Sequence, residues 1–200
     1  MELEQAGGPW IARATRMSFA RGRSNLEIHV RSSAELSAQE RDEILALCDR
    51  AYGEDLRPAF DAFVEPVHVL AIVERTIVSH ALWVTRWLVP RGSAPLRTAY
   101  VEAVATDPGH ERRGFASAVM RTLVSRVSTF QLAALCPSDR GQALYRRLGW
   151  ERWIGPLSIR QGAGVVETPE ESVMIYRLPW SPPLDLTEPL SAEWRPGELW

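Results

Sequence analysis

The sequence predicts an α/β domain whose mixed sheet is flanked by helices. Three observations carry that expectation. Apolar residues recur with a period of two in several stretches and at i, i+3, i+4, i+7 in others. The two kinds of stretch follow one another as strand, helix, three-strand meander, helix, strand, helix and closing strands, an order that suits one mixed-sheet domain. The chain has 200 residues and an apolar fraction of 46%, enough to bury one core.

Taken in order, "LEIHV" (26–30) alternates and reads as the first strand. Residues 1–25 precede it as an N-terminal arm, expected to be mobile or loosely docked, so the domain spans 26–200. Ser37 and Glu40 form a capping box that opens a helix with Ile44, Leu47, Cys48 and Ala51 on one face, and Gly53 ends it. "VHVLAIV" (67–73) and "TIVSHALWVTRWLV" (76–89) read as strands joined by a tight turn at Glu74 and Arg75. "PRGSAP" interrupts the chain, and "LRTAYVEAVAT" (96–106) resumes it as a strand. A glycine-containing turn then feeds a helix whose apolar face is Ala116, Val119, Met120, Leu123, Val124 and Val127. "QLAAL" (131–135) is a short buried strand. A helix capped near Ser138 follows, reaches Leu148 and stops at Gly149. "WIGPLSIR" and residues 172–178 read as closing strands around the loop "QGAGVVETPEE". From Pro179 on, the proline content predicts irregular chain.

Charge and composition exclude several classes of function. With 23 basic and 25 acidic residues the formal net charge is −2, which gives no bulk pull toward nucleic acid or an anionic membrane. No apolar run approaches the roughly 20 residues of a membrane span. The N-terminus has no apolar core region and no clean cleavage site, so it does not read as a secretory signal, and a cytoplasmic location is expected. Cys48 falls in a helix and Cys136 at a strand end, and reduced thiols are expected for both. His29, His68, His80 and His110 are scattered, and no Cys/His cluster has metal-ligand spacing, so no metal is expected.

The segment richest in chemistry is "VEAVATDPGHERRGFA" (101–116). A strand runs into a turn whose amides open a helix, and a helix N-terminus with unpaired N–H groups binds phosphate. Gly114 allows close backbone approach, and Arg112 and Arg113 add positive charge. An ordinary strand-to-helix loop satisfies the same pattern. This segment resembles the acetyl-CoA pyrophosphate loop of the GCN5-related N-acetyltransferases (GNATs). Their Gln/Arg-x-x-Gly-x-Gly/Ala pattern falls on Glu111, Arg112, Arg113, Gly114, Phe115 and Ala116, with Glu111 departing at the first position. "ALYRRLGW" (143–150) resembles a later helix of that family. With "YVEAVAT", "QLAAL" and the tail "EWRPGELW", the likeness covers about residues 26 to 200 and narrows to the aminoglycoside 2′-N-acetyltransferases.

The resemblance implies a GNAT fold, with a central mixed but mostly antiparallel sheet. It implies acetyl-CoA as co-substrate, no metal, a homodimer, and acetyl transfer to the 2′-amine of an aminoglycoside. An amine attacks a thioester only when neutral, so a carboxylate must take its proton. The resemblance assigns that task to Glu102 and to the terminal carboxylate of Trp200, and protonation of the leaving thiolate to Tyr145. The backbone of Ala103, Val104, Ala105 and Thr106 would pair with the pantetheine arm and polarise the thioester carbonyl. Ser138 would join the loop residues in holding the coenzyme. Asp55, Phe60, Asp61, Trp83, Trp87, Glu170, Glu171 and Glu198 complete the expected substrate contacts. Phe60 stands where relatives carry a second Asp after the first helix, with Asp61 beside it. One carboxylate fewer suits a less cationic antibiotic such as kasugamycin, which has one free 2′-amine and an acidic substituent; a 2-deoxystreptamine aminoglycoside is the other expectation. Two further readings stand beside these: acetylation of a different small-molecule or peptide amine, and a non-catalytic acyl-CoA-binding domain. The joint presence of Glu102, Tyr145 and the terminal carboxylate favours catalysis.

Overall fold

Capping chemistry starts the first helix where the sequence places it. Ser37 Oγ accepts from the Glu40 amide at 3.1 Å while the Glu40 carboxylate accepts from Ser37 N–H at 2.9 Å, opening α1 (Ala38–Tyr52). Gly53 closes that helix at φ 78°, a conformation that favours glycine. The computed structural model describes residues 15–17, 25–162, 164–197 and 200. Strands β3 (Val67–Val73), β4 (Thr76–Pro90) and β5 (Leu96–Thr106) form the expected three-strand meander, antiparallel throughout, and β2 (Leu26–Ser32) pairs antiparallel with β3 on its outer side. β6 (Leu132–Leu135) joins β5 in parallel, and β10 (Met174–Arg177) and the short β7 (Glu151–Arg152) extend that edge.

Both faces of this sheet are covered, which is why β3 and β4 read as nearly continuous apolar runs. On one face α3 (Phe115–Arg126) packs Val119, Met120 and Leu123 against Val69, Ala81, Trp83 and Val101. The other face packs beneath α1, α2 (Arg57–Ala62) and a second layer of strands, through Ile44, Leu47, Phe60, Leu70, Leu82 and Tyr100. α2, with a proline in its first turn, is a helix the sequence pattern did not reveal, since six residues are too few to show a period.

Several expectations need correction in the C-terminal half. The loop "QGAGVVETPEE" contains a strand, β9 (Gly164–Glu167), in a hairpin with β8 (Leu157–Gln161). The chain beyond Pro179 is not irregular throughout: β11 (Leu190–Glu193) lies parallel to β8 and antiparallel to the end of β4. The prolines flank β11 without interrupting it, and its partners lie far away in sequence. The helix expected from Ser138 is shorter, α4 (Gln142–Arg147), because 138–141 form a turn in which Ser138 O accepts from Gly141 and Gln142. Of the expected arm, β1 (Thr15–Met17) pairs antiparallel with β2, and residues 1–14 and 18–24 lie outside the described residues. Among the described residues no helix is long and apolar enough to cross a membrane.

The segment before β11 is fastened to the sheet by backbone contacts. Trp153 Nε1 donates to Glu188 O at 2.8 Å, and the amides of Ile154 and Gly155 donate to Leu186 O at 2.8 Å each. A Cβ at Gly155 would collide with the carbonyls of Glu188 and Thr187, which are backbone atoms with little room to yield. Gly155→Ala is therefore expected to destabilise the fold by about 2 kcal/mol or more. Urea unfolding measures this as a lowered midpoint; an unchanged midpoint would show that the crossing segment moves aside freely.

Candidate active site

The site originates in a mismatch of strand lengths. β6 pairs with β5 only at Thr98, Ala99 and Tyr100, whereas β5 runs on to Thr106 with β4 along its other edge. Among the described residues the edge of 101–106 that faces β6 has no strand partner. β5 is also bulged there: its register with β4 shifts between His80 and Leu82, and Ala103 stands at φ 49°. His80 Nδ1 donates to Ala103 O at 2.8 Å, and Tyr52, the last residue of α1, donates its hydroxyl to Val104 O at 2.9 Å.

Glu102 lies opposite Leu82, so it points to the sheet face covered by α1 and the second strand layer. Its carboxylate is met from the tail: Arg195 Nη2 donates to Glu102 Oε1 at 2.5 Å and to the main-chain oxygen of Trp200 at 3.3 Å. Trp200 is buried, and its Nε1 donates to Thr168 Oγ1 at 2.8 Å. Gly197 adopts φ 79°, which turns the tail inward. Arg195 and the buried Arg86 stack over the Tyr100 ring, 5.5 and 4.8 Å from its centroid. Arg86 is held by Glu193, donating to its main-chain oxygen at 2.7 Å.

At the end of β5, Asp107 organises the loop. It accepts from Gly109 N–H at 2.9 Å, and Arg50 Nη2 lies 2.9 Å away. Burial pushes its carboxyl pKa up, but hydrogen bonds from His110, Arg50 and Gly109 outweigh that and hold it low. Arg112 then takes φ 60° and Gly114 φ 87°, and Gly114 caps α3 with no side-chain hydrogen bond to its first amides. Those amides and the exposed Arg112 and Arg113 form the anion-favouring helix start expected from the sequence. The Glu111 carboxylate lies 3.6 Å from Arg140, which draws it aside. Ser138 lies in the turn before α4, its Oγ accepting from Gly141 N–H at 3.3 Å. Tyr145 is buried with its ring against Gly141, where an added Cβ would sit 2.8 Å from Cε2. Burial raises the pKa of its hydroxyl, so Tyr145 keeps its proton at neutral pH. The Tyr52 hydroxyl feels both Tyr145 and Glu102, so these groups share one neighbourhood where β5 and β6 part.

The remaining expected residues divide. Glu171 Oε2 accepts from Cys136 Sγ at 3.6 Å, and Cys136 also feels Glu102, so Glu171 borders the same gap; Glu170 beside it is exposed. Asp55 accepts from Arg57 N–H at 3.0 Å and from Arg57 Nη1 at 3.1 Å at the start of α2, and Asp61 pairs with Arg41 at 2.7 Å. Phe60 is a core residue, its ring centroid 6.2 Å from that of His68 and 6.0 Å from that of His80. Trp83 and Trp87 do not wall a site beside Glu102. Trp83 pairs with Val101 and is buried beneath α3, on the opposite face, and Trp87 lies exposed on that same opposite face. Glu198 lies outside the described residues. Sequence reasoning missed Arg195, Tyr52, Thr168 and His80. None belongs to a local pattern; the only available signal was that Arg195 falls within the quoted tail. Among the described residues no group of three or more His, Cys, Asp or Glu could hold a metal ion.

Comparison with known proteins identifies the family to which this fold corresponds. Residues 33–153 match the family model described as an acetyltransferase (GNAT) domain. The chain is 32% identical over 174 residues to the aminoglycoside 2′-N-acetyltransferase of Mycolicibacterium fortuitum, covering 84% of this chain and 89% of that protein. Among solved structures, Escherichia coli YhbS, a GNAT family N-acetyltransferase in complex with CoA, superposes with a TM-score of 0.58 at 16% identity, covering 88% of this chain and 93% of that one. Eis1 from Mycobacterium abscessus gives a TM-score of 0.53 at 21% identity over 64% of this chain, which spans 32% of Eis1. At these identities the two structures speak for the fold alone.

Cys136 is free and exposed as a residue, yet burial of its sulfur and then Glu171 push its thiol up to about 11. Such a thiol is almost wholly protonated at pH 8. Alkylation of Cys136 in the native protein is expected to run roughly a hundredfold slower than that of free cysteine at that pH, and to accelerate with rising pH up to about 11. Peptide mass spectrometry after iodoacetamide reads this; fast labelling at pH 8 would show an activated thiol in its place.

Proposed function

Since this chain belongs to the GNAT acetyltransferase family and is an N-acetyltransferase, we propose that it transfers the acetyl group of acetyl-CoA to the 2′-amine of an aminoglycoside. The observation that carries this reading is the meeting of Glu102 and Trp200 on Arg195, two groups that lie far apart in the chain. The 32% identity to a protein named for that reaction supports the substrate class.

The uncapped first turn of α3 receives the pyrophosphate, with Arg112 and Arg113 beside it. The free edge of β5 pairs with the pantetheine arm, and the amide that follows Ala103 polarises the thioester carbonyl. Arg195 bridges Glu102 and the main-chain oxygen of Trp200, so Glu102 is held where the tail meets β5. There its carboxylate binds the substrate ammonium and takes its proton directly or through water. The neutral amine attacks the carbonyl carbon, the C–N bond forms, the C–S bond breaks, and Tyr145 passes its proton to the departing thiolate.

The acidic residues expected to meet the substrate are already engaged, which favours a weakly cationic antibiotic. Asp55 is engaged by Arg57, Asp61 by Arg41 and Glu102 by Arg195, and position 60 is an apolar core residue. Kasugamycin, with one free 2′-amine and an acidic substituent, suits this balance better than polycationic aminoglycosides.

Two experiments test the reading. Purified enzyme with acetyl-CoA and a free-thiol readout is expected to turn over kasugamycin faster than gentamicin or tobramycin. Turnover of the latter two alone would overturn the kasugamycin choice, and turnover of none of the three would overturn the aminoglycoside class. Separately, Glu102→Gln should lower kcat by about tenfold or more while acetyl-CoA affinity stays within about threefold. An equal loss of turnover and affinity would remove Glu102 from the mechanism.

A further inference from the structure

Two buried histidines outside the proposed chemistry lie in one hydrogen-bonded line that ends on the β5 bulge. Ser33 Oγ is 2.8 Å from His68 Nε2, His68 Nδ1 is 3.0 Å from His80 Nε2, and His80 Nδ1 is 2.8 Å from Ala103 O. The exposure of His68 is 2% and that of His80 is 0%. A carbonyl oxygen only accepts, and this assigns every proton in the line. His80 donates from Nδ1 to Ala103 O; neutral His80 then accepts at Nε2 from His68 Nδ1–H, and His68 accepts at Nε2 from the Ser33 hydroxyl. Burial, the largest cause, lowers His68 to about 4 and His80 to about 3, so both rings are neutral near pH 7.

The end of this line falls on an unusual residue. Ala103 stands at φ 49°, a region a side chain disfavours and which persists only where the surroundings impose it. A planar trans peptide points its C=O and N–H in opposite directions. With the Ala103 carbonyl turned to the His80 ring, the Val104 N–H is turned away from that ring, on a stretch of β5 that β6 no longer pairs. We propose that His80, oriented by His68, is a positioning residue for acetyl transfer: it locks the peptide between Ala103 and Val104 so that the Val104 N–H faces the thioester carbonyl. This rests on the reading of the β5 edge as the acetyl-CoA strand.

Two substitutions separate positioning from mere packing. His80→Phe keeps a ring beside Phe60 and removes the donor, whereas His80→Asn keeps an amide N–H near the place of Nδ1. The probe is acetyl-CoA labelled with 13C at the thioester carbonyl, bound without acceptor and read by difference infrared spectroscopy, alongside kcat and KM. Wild type and His80→Asn are expected to show a carbonyl stretch below that of free acetyl-CoA. His80→Phe is expected to return the stretch toward the free value and to lower kcat by about tenfold to a hundredfold, with KM for acetyl-CoA within about threefold. A wild-type stretch and kcat in His80→Phe overturns the proposal, and so does an equal loss in both variants, the result a packing role would give. A wild-type stretch equal to that of free acetyl-CoA instead overturns the reading of the β5 edge itself. Should His80→Phe not fold, His68→Leu tests the line one step back. A partial return of the stretch with kcat lowered about threefold to tenfold supports the proposal, and unchanged values overturn it.

Discussion

A parallel strand pair that ends early governs this molecule. β5 needs β4 for almost its whole length, but keeps β6 for only three residues, Thr98 to Tyr100. A strand edge left alone carries N–H and C=O groups that are costly to leave unsatisfied away from water. Here that edge lies between two covered faces and becomes a ready partner for an extended ligand. α3 begins just beyond the same strand, so its positive end lies one short loop from the end of β5. The bulge at Ala103 belongs to this constraint as well. It breaks the alternation, so the β5 backbone turns differently on the two sides of Glu102.

The tail answers the other side of the same problem. The lower face of β4 and β5 carries Leu82, Val84, Leu88 and Tyr100, which need cover beyond what α1 and α2 supply. β8 and β11 provide it, with Trp153, Leu157, Leu190 and Trp200 filling the layer. Burial of these side chains offsets the entropy of ordering an extended tail, at roughly 1.5–3 kcal/mol for each large apolar side chain buried. Packing alone would not explain the direction of the last residues. Thr168 holds the Trp200 indole, and Arg195 spans the Trp200 oxygen and Glu102. A structural cover thus delivers polar groups to the place where β5 and β6 part.

The elements that frame the candidate site were legible in the sequence, for reasons that are local. The capping box at Ser37 and Glu40, the turn through Gly114 and the apolar stripe from Ala116 to Val127 depend on residues within a few positions of each other. The errors share a cause too. Trp83 and Trp87 share one face of β4 by simple alternation, but which face meets Glu102 is a matter of register between β4 and β5. The resemblance puts Phe60 among the substrate contacts, yet its ring lies against His68 and His80 in the core. Position along a family pattern does not settle where a changed side chain points, because an apolar ring and a carboxylate seek opposite surroundings.

The sequence by itself determined the elements with a strong period or cap, the class of fold they assemble into, and a helix start suited to phosphate. Periodicity and capping act over three to seven residues, so one segment contains the whole argument. Only the tertiary structure decided that Arg195 would meet Glu102, that Tyr52 would reach Val104, that two histidines would join end to end beneath the bulge, and that β11 would complete the second layer. Those contacts join residues from elements distant in the chain, brought together by packing of the two sheet faces. No local pattern encodes such a meeting, because the partner that satisfies each polar group is chosen by the fold.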